Sequence, residues 1–160
     1  ERRARTAVAA GRALGHPAEI RYRPDGRPEL DGGQAISASH GAGVTLCVTA
    51  AGTVGCDVEA VAERPVRTWE GLLGSRLRLA ELVAMELGGS LDAAATRVWS
   101  AAECLRKAGL PPDAPLTWTP AGQGPWTVFA SGASRIATLL TALRDVPDPV
   151  VFAVLAEGRS

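Results

Sequence analysis

Charge of neither sign is in excess here: 17 lysines and arginines balance 17 aspartates and glutamates over 160 residues. A formal net charge of zero removes any whole-chain electrostatic case for nucleic acid or an anionic membrane as partner. It still leaves room for a local cationic pocket around a phosphate-bearing small molecule. Cysteine is scarce. Cys47, Cys56 and Cys104 have neither paired nor CxxC spacing, which argues against both a disulfide framework and a structural zinc site. Two of them sit in apolar stretches and read as core thiols, natural in a reducing cytosol. No apolar run is long enough to cross a bilayer, so the 46% of hydrophobic residues reads as the core of one soluble domain. There is no G-x-G-x-x-G or Walker loop, which removes the two commonest nucleotide-binding folds. The chain begins Glu1-Arg2-Arg3, without the apolar stretch that export needs. It carries only one methionine, which is not at its start, so a domain cut from a longer polypeptide is expected.

What is present alternates between strand and helix patterns. Arg3 to Leu14 is rich in alanine and studded with arginine, a helix ending at Gly15. Glu19–Arg23 alternates as a strand closed by the turn signal Pro24-Asp25-Gly26. Val44–Val48 reads as a strand, a turn follows at Ala51-Gly52, and Val54–Glu59 reads as its hairpin partner. From Pro65 to Gly109 the pattern turns helical. Leu72, Leu73, Leu77, Leu79, Leu82, Val83 and Leu87 recur near a helical period until Gly88-Gly89, and Ser90 or Asp92 caps a second helix. Strands return at Leu116–Thr119, then after a Pro120-Ala121-Gly122 turn at Trp126–Ala130, and at Val150–Leu155; Ile136–Leu143 fits either state. Segregated strands and helices predict an α+β fold, an antiparallel sheet with packed helices. The four tryptophans are expected to pack internally.

Three groups of residues can carry chemistry. Asp57 and Glu59 stand two apart on a strand, so their carboxylates share one face, with Val54, Cys56 and Val58 on the other. Two like charges on one face repel unless a cation lies between them, and an oxygen-rich pair suits Mg²⁺; the plainer reading is a solvated strand end. Glu103 and Lys107 stand four apart on one helix face, which is either a surface pair worth roughly 0.2–0.5 kcal/mol or a third metal ligand beside a phosphate-facing ammonium. His40 lies in the small, polar segment Ile36-Ser37-Ala38-Ser39-His40-Gly41, where an imidazole among hydroxyls can approach a phosphate closely. No G-x-S-x-G elbow accompanies it, so a serine hydrolase is disfavoured.

In this order the pieces resemble the phosphopantetheinyl transferase superfamily, especially its surfactin-synthetase type. That family runs Gly-Lys-Pro, Ser-x-Ser-His, Gly-x-Asp-x-Glu, then Trp-x-x-Lys-Glu-Ala-x-x-Lys. This chain reads Gly26-Arg27-Pro28, Ser37-Ala38-Ser39-His40 and Gly55-Cys56-Asp57-Val58-Glu59, and then the run from Trp99 through Glu103 to Lys107. Each motif alone is weak or moderate; four in order are strong, and they frame about half of the chain. The resemblance implies Mg²⁺ held by Asp57, Glu59 and Glu103, and coenzyme A phosphates met by Arg27, Ser39 and His40. It implies Lys107 on the transferred phosphoryl group, and Glu103 or a metal-bound water as the base. The reaction implied is transfer of phosphopantetheine to a serine of an acyl carrier protein in the cytoplasm, with neither nucleic acid nor membrane as partner. About residues 1–43 would form a partial N-terminal lobe and about 44–160 a C-terminal lobe. Ala102 and Cys104 stand where the family has lysine and alanine. The run Ala95–Gly109 further resembles the transferase domain that ends iterative polyketide synthases of the enediyne kind. Two other classes remain open: a non-catalytic module that docks a carrier domain, and another Mg²⁺-dependent phosphotransferase or pyrophosphatase.

Overall fold

The computed structural model describes residues 1–120, 122 and 124–157. Four α-helices and nine strands follow one another as α1 (Arg2–Leu14), β1 (Ile20–Tyr22), β2 (Pro28–Leu30), β3 (Ala35–Gly41), β4 (Val44–Ala50), β5 (Val54–Ala60), α2 (Val66–Leu73), a 3₁₀ turn (Gly74–Arg76), α3 (Leu77–Leu87), α4 (Leu91–Lys107), β6 (Thr117–Thr119), β7 (Trp126–Ser131), β8 (Ser134–Thr141) and β9 (Val150–Glu157). Every strand pairing is antiparallel. A five-stranded sheet runs β5-β9-β8-β7-β6, and two separate hairpins, β1–β2 and β3–β4, complete an α+β architecture. No helix of the described residues is long and apolar enough to cross a membrane.

Helix α4 is the spine. Ser90 caps it, its hydroxyl accepting from the Ala93 N–H at 3.1 Å, which satisfies one of the donors that a helix start leaves free. Asp92, the other candidate cap, instead accepts from Trp69 Nε1 at 2.7 Å and so ties α2 to α4. Val98, Ala101, Cys104 and Leu105 recur at helical spacing and meet Phe129, Ile136, Ala153 and Leu155 of the sheet in one core cluster. Burying a Val or Leu side chain contributes about 1.5–3 kcal/mol, so this stripe fixes the rotation of α4. Arg97 is also buried, without a carboxylate partner among the described residues; its Nη1 donates to the Thr138 carbonyl and hydroxyl, both at 2.9 Å. Burial pushes the Cys56 thiol up to about 11 and raises that of Cys104, so both are inert core thiols.

Several elements depart from the sequence expectation. β4 does not form a hairpin with β5: it pairs with β3, and β5 pairs with β9 along its whole length. The distant partner wins because β9 is the β-branched, buried run of Val150, Val151, Ala153 and Leu155, which offers β5 better cross-strand neighbours than β4 can. The segment around Ser37 and His40 is a strand, β3, whose hairpin closes through Ala42 (φ 49°) and Gly43 (φ 76°), the two positive values of a type I′ turn. The division expected near residue 43 falls in this turn. Ile136–Leu143 resolves as strand β8 up to Thr141. The leucine run is broken by the 3₁₀ turn. Leu73 and Val83 are core residues, whereas Leu72, Leu82 and Leu87 are exposed. Trp69 is buried, but Trp126 is exposed on β7. The expected Pro120-Ala121-Gly122 turn lies partly outside the described residues.

Candidate functional site

β5 carries Gly55, Asp57 and Glu59 toward α4. The close approach is visible at Gly55, where a β-carbon would lie 2.2 Å from the Cys104 carbonyl oxygen. β5 is not half solvated as its alternation suggests, because β3 and α4 cover it on both sides. Asp57 is only 3% exposed. Its Oδ1 accepts from Lys107 Nζ at 2.9 Å and from Ser39 Oγ at 3.0 Å. Lys107 also donates to the Cys56 carbonyl at 2.9 Å, and the Cys56 N–H donates to Ser37 Oγ at 3.0 Å. Three motifs far apart in sequence therefore meet in one hydrogen-bonded cluster. The partner of Lys107 is an aspartate 50 positions away, not the glutamate one helical turn before it.

Asp57 Oδ2 is buried and has no hydrogen-bond partner among the described residues. Such an atom costs about 1–3 kcal/mol unless something reaches it. Beside it, burial pushes the Glu59 carboxyl up, the Asp57 and Glu103 charges push it further, and Lys107 and Arg64 act against them. Mutual repulsion and an orphaned carboxylate oxygen are what an oxygen-seeking divalent cation relieves, so Asp57 and Glu59 fit Mg²⁺. Glu103 does not join them. Its carboxylate is taken by Arg106, with Nη2 to Oε2 at 2.6 Å and Nε to both oxygens, and among the described residues no group of three acids, histidines or cysteines is placed to hold a metal. The expected trio is thus a pair plus a latched third member, because an i, i+3 guanidinium within reach outcompetes open solvent for Glu103.

A cleft of about 570 Å³ opens next to the cluster, with Arg23, Arg27, Ser37, Arg106 and Lys107 among its walls. Arg27 Nη2 donates to the Arg106 carbonyl at 3.1 Å, so the β1–β2 hairpin rests on the end of α4 and the cleft lies between them. Four cations outnumber the two acids of the rim, Asp25 and Glu29, so the opening can draw a phosphate. Each cation already has a carboxylate within 4 Å: Arg23 and Arg27 at Asp25, Arg106 at Glu103 and Lys107 at Asp57. Arg106 and Ser37 belong to this cluster and cleft, although motif reading gave neither a role. The signal was the three-residue spacing from Glu103 to Arg106 and the repeated serine two before Ser39.

His40 is placed elsewhere. β3 turns Ser37 and Ser39 toward β5 and His40 to the opposite face, under α1. There its Nε2 pairs with Thr6 Oγ1 at 3.1 Å and its Nδ1 with Thr45 Oγ1 at 2.9 Å. Neither His40 nor Ser39 lines the cleft; Ser39 is spent on Asp57, and His40 on holding α1 to the hairpin. Burial, then the charges of Arg5, Arg2 and Lys107, lower the His40 pKa from 6.5. A histidine that folding holds neutral binds its proton more readily in the unfolded chain, so stability rises with pH through this range. The contribution is complete above 6.5 and fades as pH falls through that value toward the lowered one. Chemical denaturation of the His40→Gln variant should therefore show a smaller loss of stability than wild type between about pH 7.5 and about pH 5.5. An equal loss in both would remove His40 from the acid response. No protein-family model matches this chain, and no curated protein does either.

Proposed function

We propose that this domain is a Mg²⁺-dependent phosphopantetheinyl transferase, moving the 4′-phosphopantetheine arm of coenzyme A onto a serine of an apo acyl carrier protein. The observation that carries this reading is the convergence of Ser39, Asp57 and Lys107 from three separate motifs, at 2.9–3.0 Å, beside a basic cleft. A chance sequence likeness has no reason to bring those side chains together. Residues that only decorated a surface would not bury Asp57.

In this reading the cleft receives coenzyme A, with Arg27 and Arg106 on its phosphates and Lys107 facing the phosphoryl group that moves. The carrier serine oxygen bonds to the pantetheine-side phosphorus, and the bond from that phosphorus to the bridging oxygen breaks, releasing adenosine bisphosphate. Positioning and charge stabilisation do most of the work in such a transfer. Mg²⁺, held by Asp57 and Glu59 with Glu103 as third member, would neutralise pyrophosphate charge when bound. Arg106 is shared between Glu103 and the cleft, so a phosphate that draws Arg106 away frees the Glu103 carboxylate to take the serine proton. The carrier of this proposal is a domain of an enediyne-type polyketide synthase, and the setting is the cytoplasm.

Intact-mass spectrometry of an apo carrier, incubated with the domain, coenzyme A and Mg²⁺, tests this. The expected result is a gain of one phosphopantetheine that EDTA and Glu103→Ala both abolish. A specific observation favours one rival: Glu103 is latched to Arg106 and Ala102 lacks the family lysine, as a carrier-docking module without catalysis would allow. Tight carrier binding with no mass gain, from a folded domain and a competent carrier, would select that rival. Release of phosphate from free nucleotides without carrier modification would select a different phosphotransferase or pyrophosphatase.

A further inference from the structure

We infer that the groove between α1 and the outer edge of β4 is a docking site for an extended strand from a partner polypeptide, one that brings carboxylates to Arg5 and Arg12. The groove encloses about 760 Å³ and has the consecutive residues Gly43, Val44, Thr45, Leu46 and Cys47 along one wall. Consecutive residues of a strand face opposite sides, so a cavity touching all of them runs along the strand edge and not over one face. Among the described residues that edge has no strand partner: β3 is the one strand that pairs with β4.

Free edges in native proteins are guarded by lysine, proline, bulges or a covering element. β4 has none of the sequence guards. Its seven residues, Val44-Thr45-Leu46-Cys47-Val48-Thr49-Ala50, contain no charge and no proline, and its register with β3 is continuous, without a bulge. At about 3.3 Å per residue the edge offers ~23 Å of unpaired backbone. α1 stands beside it as the second wall, presenting the exposed Val8 between Arg5 and Arg12. At an open strand edge an added strand gains affinity from main-chain hydrogen bonds and specificity from alternate side chains.

The charges choose the occupant. The groove has two arginines on its wall and no acidic residue. Arg5 Nη2 donates to the Gly43 carbonyl at 2.8 Å, which fixes its guanidinium at the mouth of the edge, and neither arginine forms an ion pair among the described residues. The two lie two helical turns apart, ~10 Å at 1.5 Å per residue, so a strand with apolar residues alternating with Asp or Glu fits both wall and edge. A second copy of the chain is a poor occupant, because pairing β4 with β4 sets these arginines against each other.

Selection of a random extended-peptide library on the purified domain tests the inference independently of any transferase activity. Enriched sequences should alternate apolar residues with Asp or Glu. The synthesised winner should slow amide exchange in β4 and slow alkylation of Cys47, the only cysteine of the three that is not fully buried. Arg12 is exposed, so Arg12→Glu leaves the fold intact and should weaken that peptide at least tenfold while shifting selection toward Lys and Arg. No enrichment, or enriched peptides that leave β4 exchange and Cys47 alkylation unchanged, would overturn it. A domain that dimerises by itself with β4 protected would overturn it in favour of self-pairing.

Discussion

Lys107→Ala is expected to lower carrier modification by about 10²–10³-fold, the usual cost of removing one donor aimed at developing charge, and to destabilise the fold as well. The second effect arises because Lys107 is the only cation on Asp57 among the described residues, with side chains 20% and 4% exposed. Removing one member of a buried pair leaves an uncompensated charge and typically costs about 3–5 kcal/mol. Here about 2–3 kcal/mol is expected, since Lys107 is partly solvated and Ser39 still donates to the same oxygen. Structure and chemistry are separated by the double variant Asp57→Asn/Lys107→Met. It buries no lone charge, so thermal unfolding should return toward wild type while modification stays absent. Recovery of activity together with stability would mean that Lys107 only supports the fold, and the transfer mechanism proposed for it would fall.

The same residues show what a sequence discloses and what it withholds. Helices α1 and α4 were legible because their signals are local: an alanine-rich run, a serine cap, a stripe at helical spacing. The α+β class and the chemical types at the site were legible too, since Asp57, Glu59, Glu103 and Lys107 carry their spacing with them. The partner of Lys107 was not. Its nearest acid in sequence is Glu103, and only the burial of Val98, Ala101, Cys104 and Leu105 against the sheet turns the helix so that Lys107 meets Asp57. Pairing of β5 with β9 was illegible for a related reason: long-range strand choice is settled by competing burial, not by the nearest turn. The β3–β4 hairpin hid behind poor signals, a strand of Ala, Ser and His closed by an alanine in the left-handed region, where Asn or Gly is the usual cue. His40 looked like a phosphate ligand from its neighbours, yet the alternation of β3, which turns Ser37 and Ser39 to β5, turns His40 away from them.

Gly55 sets the spacing on which the whole site depends, and Gly55→Ala is expected to damage fold and function together. The added β-carbon would sit 2.2 Å from the Cys104 carbonyl oxygen, 3.0 Å from its carbonyl carbon and 3.1 Å from its α-carbon. All three are backbone atoms in the last turn of α4, so no side-chain rotation relieves the clash. Either α4 or β5 must move by roughly an ångström, at or above the upper end of the ~1–3 kcal/mol typical of overpacking, lowering Tm by about 6–12 °C for a domain of this size. That displacement carries Glu103 and Lys107 away from Asp57, and misplacement on this scale costs about 10²-fold in rate. Gly71 in α2 is the matched control. Nothing lies within 4 Å of its β-carbon position and its φ is ordinary, so Gly71→Ala should raise stability by about 0.5–1 kcal/mol and leave modification unchanged. Opposite shifts in the melting temperatures of the two variants would establish that close contact between α4 and β5, and not glycine flexibility, is what position 55 requires. Equal shifts would show that β5 can back away from α4 and that the Asp57–Lys107 geometry does not depend on it.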